Sequence, residues 1–300
     1  MNLFSQQVKQ SKGHNDIGFV DICLNRDTKL FIDPCLIEVG TTTFCRKANV
    51  VMQDCMDYLV GLYRRHAPYN EMLKFFDHMH ELNCTKLGYG NGNNGKAKTA
   101  EGMIETLSDV QHLVDVNIGI SHPIDLSLFI EGFAEDCLSD MITNILLYEL
   151  NEFTLHQCEK YGLETEPCKE KYYHWDANTH EWKRFEENCL YIDGKMVVLV
   201  PKNIVHHKYY YNTSQYFGSI VLSRIQKEET TYDNNGKEYK PTKKSLRENM
   251  LRKNSDIRNI SIEKTIEDTS LLDTYHSGIS SAYSSRALSD AELDYYVYEK

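Results

Sequence analysis

At 300 residues the chain has room for one large domain or two, because single cores stop growing near this size. It is 41% hydrophobic and 26% charged, with a mean hydropathy of -0.51 and no apolar run of about 20 residues, so a soluble globular protein is expected and a membrane partner is not. The formal net charge of -11 argues against non-specific duplex binding over the whole surface, although local basic patches can still contact a nucleic acid.

The start, MNLFSQQVKQSKGHND, turns polar too soon for a signal peptide. The nine cysteines are scattered without a CxxC pair, which predicts free thiols in a reducing cytoplasm. IGFVDICL and NRDTKLFIDPCLI read as two strands about a polar turn, with Asp33 at the exit of the second against Pro34. A helix follows over 47–65, with Val51, Cys55, Tyr58, Leu59 and Leu62 on one face. A second covers 71–82, and a third 101–114 after the glycine- and asparagine-rich LGYGNGNNGKAKT. ISHPIDLSLF predicts an extended break. GFAEDCLSDMITNILLYEL then predicts a helix, and 154–161 a short one. In LYIDGKMVVLVPKNIV, Asp193-Gly194 predicts a hairpin turn before a buried strand. Residues beyond 227 are polar and serine-rich, and the ending YVYEK carries no legible stop signal, which leaves truncation of a longer chain as one expectation.

The expected fold is α/β or α+β, a mixed sheet with packed helices. Its predicted organisation is a main α/β region over 1–165, a strand-rich region over 166–226 that would complete the same core, and a peripheral polar segment over 227–300.

Three stretches carry candidate chemistry. GNGNNGKA approaches a phosphate-binding P-loop, but Ala97 lacks the magnesium-binding hydroxyl and no apolar strand precedes it, which argues against an ATPase. Gly90, Gly92 and Gly95 still allow backbone N–H groups to converge, and Lys86, Lys96 and Lys98 add positive charge suited to phosphate; the alternative is a flexible surface turn. Asp77, His80 and Glu81 share a helix face, either as metal or catalytic groups or as a solvated helix end. On the 132–150 helix, Asp136 and Asp140 face one way with Ser139, Thr143 and Asn144 beside them, opposite an apolar stripe. Short oxygen-bearing side chains favour helix less than long ones do, but they suit Mg²⁺ or Mn²⁺.

Together these predict a metal-dependent phosphodiester hydrolase, nuclease-like, acting on a nucleic acid. Asp77, Glu81, Asp136 and Asp140 would hold Mg or Mn, His80 would carry a proton, and Lys96 or Lys86 would steady negative charge. The chain has no P-D…[DE]-x-K pattern. A cysteine–histidine hydrolase would use Cys84 or Cys158. The non-enzymatic alternative is a protein- or ligand-binding component that uses the aromatic stretches KYYHWDANTHEW and HHKYYYN.

LFIDPCLI, EDCLSDMITNIL and VVLVPK resemble blocks of uncharacterised bacterial proteins found near antiphage defence genes. The resemblance spans about residues 30–202. It implies a defence role, nucleolytic or as part of a defence complex, and draws attention to Asp33, Asp136, Asp140, Asn144, Pro201 and Lys202.

Overall fold

The computed structural model describes residues 2–8, 13–79, 82–89, 99–253 and 256–299. Strand β1 (Phe31–Ile32) ends at Asp33, whose carboxylate accepts from the Cys35 N–H at 2.9 Å. That cap and Pro34 at the first helical position start α1 (Pro34–Val39). The Thr42 hydroxyl caps α2 (Thr43–Arg64), which buries Cys45, Ala48, Met52, Cys55, Met56, Leu59 and Tyr63 at helical spacing. Next come α3 (Tyr69–Phe76), α4 (Ala100–Thr106) and α5 (Asp109–Asp115). The single helix expected over 101–114 is thus broken at Leu107 and Ser108.

The extended segment expected at ISHPIDLSLF is instead α6 (Pro123–Phe129). Proline at the first position and Asp125 at the third are helix-start chemistry; the Asp125 carboxylate accepts from the Ser121 and His122 N–H groups, both at 2.9 Å. Helix α7 (Glu135–Ile145) passes through Leu146 into α8 (Leu147–Tyr161), which ends on left-handed Gly162.

The sequence then forms β2 (Glu166–Pro167), β3 (Tyr173–Asp176), β4 (Glu181–Arg184), β5 (Asn188–Ile192), β6 (Lys195–Val197) and β7 (Val205–His206). β5 and β6 flank the expected turn, where Asp193 and Gly194 take φ of 50° and 74°. β3 and β4 pair as a second hairpin, β2 joins β5, and β7 lies beside β1. Every pairing between these strands is antiparallel, so the class is α+β.

Helix α9 (Thr213–Tyr216), a π-helical turn (Phe217–Val221) and α10 (Leu222–Glu228) run on as one rod. The hairpin of β8 (Thr231–Tyr232) and β9 (Glu238–Tyr239) follows, then α11 (Lys243–Lys253), α12 (Ile257–Glu267), α13 (Ser270–Ser277), α14 (Ile279–Tyr283) and α15 (Asp290–Asp294), which continues as a π turn. Leu272, Tyr275, Ile279, Leu293 and Val297 from this last stretch are buried. Its end is also tied to earlier parts of the chain: Lys202 to Asp290 at 2.6 Å, His14 to Asp294 at 2.6 Å, and the Tyr298 hydroxyl to Asp21 at 2.8 Å. Among the described residues, no helix is long and apolar enough to cross a membrane.

Candidate functional site

The short polar side of α7 faces protein. Ser139, Thr143 and Asn144 are buried. The Ser139 hydroxyl accepts from the Ile32 N–H at 3.0 Å, Thr143 donates to the Ser139 carbonyl, and Asn144 donates to the Asp140 carbonyl. Asp136 receives the Tyr89 N–H at 3.3 Å, beside left-handed Gly88, where an added Cβ would lie 2.9 Å from the carboxylate. These compact groups let a strand and a turn come close to the helix.

Asp77 is exposed at the end of α3. Lys86 has a left-handed backbone and places Nζ 3.9 Å from Asp27. The positions of His80, Glu81, Gly90, Gly92, Gly95, Lys96 and Lys98 lie outside the described residues. Among the described residues, no group of three or more His, Cys, Asp or Glu side chains could hold a metal ion. This corrects the expectation of a Mg- or Mn-dependent phosphodiester hydrolase: the Asp136 carboxylate holds backbone, and among the described residues no ligand set forms around α7. The hydrolase, nuclease and metal-binding assignments fall with it. The thiols proposed as nucleophiles are also poorly suited to attack, since burial pushes Cys84 up to about 12 and Cys158 up to about 11.

A different site forms where β7 leaves the core. Pairing of His206 with Phe31 fixes the register. The His206 ring then bridges the buried Asp33 carboxylate, at 2.7 Å, and the Arg286 carbonyl. Burial alone would lower the His206 pKa, but the Asp33 hydrogen bond and charge outweigh it and the net shift is upward. Beyond His206 the chain alternates. His207 and Lys208 are exposed, whereas Tyr209 and Tyr211 are buried. The Tyr209 hydroxyl reaches the Ile32 carbonyl at 2.6 Å, and the Tyr211 ring stacks on Tyr275 at 3.9 Å. Tyr210 lies beneath the Arg286 guanidinium at 3.5 Å. In the other aromatic stretch, Trp175 is buried and donates to Asp54 at 2.6 Å. Much of the tyrosine-rich sequence is therefore structural, and it turns His207 and Lys208 outward.

Those two residues border a cavity of about 660 Å³. Arg26, Lys29 and Lys208 supply its cationic groups, Tyr89, His207 and Tyr296 its rings, and Asp27 and Glu135 its carboxylates. His207 and Tyr296 stack at 4.6 Å with 17° between planes, and Lys29 sits 4.8 Å above the Tyr89 ring. Burial, followed by Glu135 and Asp136, raises the Tyr89 pKa, so the phenol stays neutral. Among the described residues, Arg26 and Lys208 have no ion-pair partner. Such a lining attracts an anion and offers flat surfaces for a ring. Two further cavities, of about 350 and 720 Å³, also open on Lys208.

Sequence reasoning singled out HHKYYYN but missed Arg26, Lys29, Glu135 and Tyr296. The aromatic stretch itself was the only signal in the sequence; the remaining groups arrive from distant parts of the chain.

Residues 8–212 match the family described as a domain of unknown function, DUF8370. The match covers more than half of the chain, which therefore belongs to that family. It includes every lining residue of the 660 Å³ cavity except Tyr296. No curated protein and no solved structure matches the chain.

Proposed function

We propose that this DUF8370 protein is a binding component whose 660 Å³ cavity takes an anionic small molecule bearing a flat ring, with a nucleotide as the best chemical fit. The observation that carries this reading is the convergence of Arg26, Lys29 and Lys208 with three aromatic rings in a protein of net charge -11. The cations answer a phosphate, and the rings offer stacking to a base. Glu135 can accept from a ribose hydroxyl or an exocyclic amine. The volume falls within the range of roughly 300–1,000 Å³ usual for small-molecule sites.

The nine free cysteines support a cytoplasmic setting. In the defence role that the sequence resemblance implies, such a component would sense or retain a nucleotide for a protein partner. Calorimetric titration with AMP, adenosine and inorganic phosphate tests the reading. AMP is expected to bind more tightly than either fragment, and Lys208→Ala to weaken AMP about tenfold, the worth of one charge-assisted hydrogen bond. AMP binding no tighter than phosphate, or unchanged in Lys208→Ala, would rule the cavity out as a nucleotide site.

A further inference from the structure

The 660 Å³ cavity does not end at Lys208. Lys208 and Glu135 also line the adjoining cavity of about 350 Å³, so the two spaces share a wall. The second space is also lined by Arg258, at the start of α12. The Nε of Arg258 is buried and has no hydrogen-bond partner. An arginine guanidinium can only donate, and Arg258 lines the cavity, so an acceptor entering this space would meet its charge. Ser214 adds a hydroxyl to the same lining.

Two carboxylates share this lining. Asp256 lines the cavity too, but its side chain accepts from the Arg258 backbone N–H at 2.9 Å as the cap of α12. Glu135 lies on the shared wall, where one carboxylate faces cations on both sides. Asn212 is occupied: its oxygen caps α9 through the Gln215 N–H, and its amide donates to the Tyr209 and Tyr210 carbonyls. Lys208, Arg258 and Ser214 are left to meet a ligand.

We infer that the second cavity is an anion subsite, and that the ligand is a nucleotide bearing two separated phosphates, of the dinucleotide class. One phosphate would lie by Arg26, Lys29 and Lys208, and the other between Lys208 and Arg258. This inference rests on the nucleotide reading of the first cavity and extends it to the class of ligand. Lys208 stands between the two positions and serves both. A mononucleotide would fill the first cavity and leave the Arg258 side of the second empty.

The test compares AMP with the linear diadenylate pApA, titrated calorimetrically into the full chain and into Arg258→Ala and Arg258→Lys. The wild-type protein is expected to bind pApA about tenfold more tightly than AMP, as one added charge-assisted contact implies. Arg258→Ala should bring pApA to the level of AMP and leave AMP within about twofold; Arg258→Lys should retain part of the advantage. Should Arg258→Ala fail to fold, Arg258→Gln carries the same comparison. Equal affinity for AMP and pApA in the wild-type protein overturns the second subsite while leaving the first intact. Equal weakening of both ligands by Arg258→Ala also overturns it, since that marks a general structural role. Failure of AMP and pApA alike to bind removes the nucleotide reading and this inference with it.

Discussion

Glu149 offers a test of the core that is independent of any ligand. It sits in the first turn of α8, 9% exposed, with its Oε2 buried and without a hydrogen-bond partner. Burial is the main reason that its pKa rises from 4.5 to about 7; its own backbone N–H opposes the shift, and Glu152 adds to it. The folded protein therefore holds a proton that the unfolded chain releases above pH 4.5. Stability is highest below that value, falls as pH rises towards about 7, and stays at the lower level beyond. A shift of this size corresponds to roughly 3 kcal/mol, at about 1.4 kcal/mol per pH unit. Glu149→Gln removes the titration. Urea unfolding followed by tryptophan fluorescence should show the variant roughly 3 kcal/mol more stable relative to wild type at about pH 8 than at about pH 4.5. Other titrating groups are common to both proteins and cancel in the difference. A stability difference that stays constant across this range would refute the buried, protonated carboxyl.

The Asp33–His206 pair acts through a different sign. Because the folded His206 pKa is raised, its contribution is fully present below the ordinary value of 6.5 and is lost as pH climbs through the folded one. Asp33→Asn should cost about 3 kcal/mol at the acidic end and flatten that part of the pH profile of Tm; identical profiles for variant and wild type would dismiss the pair as a stabilising contact. Gly40→Ala should destabilise by about 1–3 kcal/mol in urea unfolding, because the added Cβ would lie 2.4 Å from the buried Cys45 Sγ and 2.9 Å from the Leu36 carbonyl. An unchanged midpoint would mean that the α1–α2 corner gives way more easily than its packing implies.

What could be read in advance was local. Helical spacing placed α2 and α7, and the Asp-Gly pair placed the β5–β6 turn, because each signal lies within one turn or one hairpin. The segment 17–24 looked like a strand and has strand residues, yet it forms isolated bridges: Phe19 meets Pro201, and the Val20 N–H reaches the Val200 carbonyl at 2.9 Å. One partner is the stretch 2–4 and the other lies near residue 200, and nothing in the segment's own composition announces either. Proline misled at α6 by resembling a break where it begins a helix. The cavity was hidden for the same reason as the bridges: Arg26, Glu135, Lys208 and Tyr296 share no spacing that a motif could capture.

The aspartate helix nevertheless lies beside the 660 Å³ cavity. Ser139 holds the Ile32 backbone, Ile32 and Phe31 form the strand that fixes β7, and β7 delivers His207 and Lys208 to the cavity rim. At the other end of the same helix, Asp136 anchors the backbone of Tyr89, a lining residue, while Glu135 lines two cavities directly. The loss of helix preference along α7 is therefore offset through position. Short side chains admit two neighbouring backbones, and those backbones carry cationic and aromatic groups to one space. A helix selected only for stability would carry long charged residues there and would hold both neighbours at a distance. The oxygen-bearing face that suggested metal ligation holds the backbone of neighbouring segments instead, and Glu135, at the start of the same helix, lines the cavity they border.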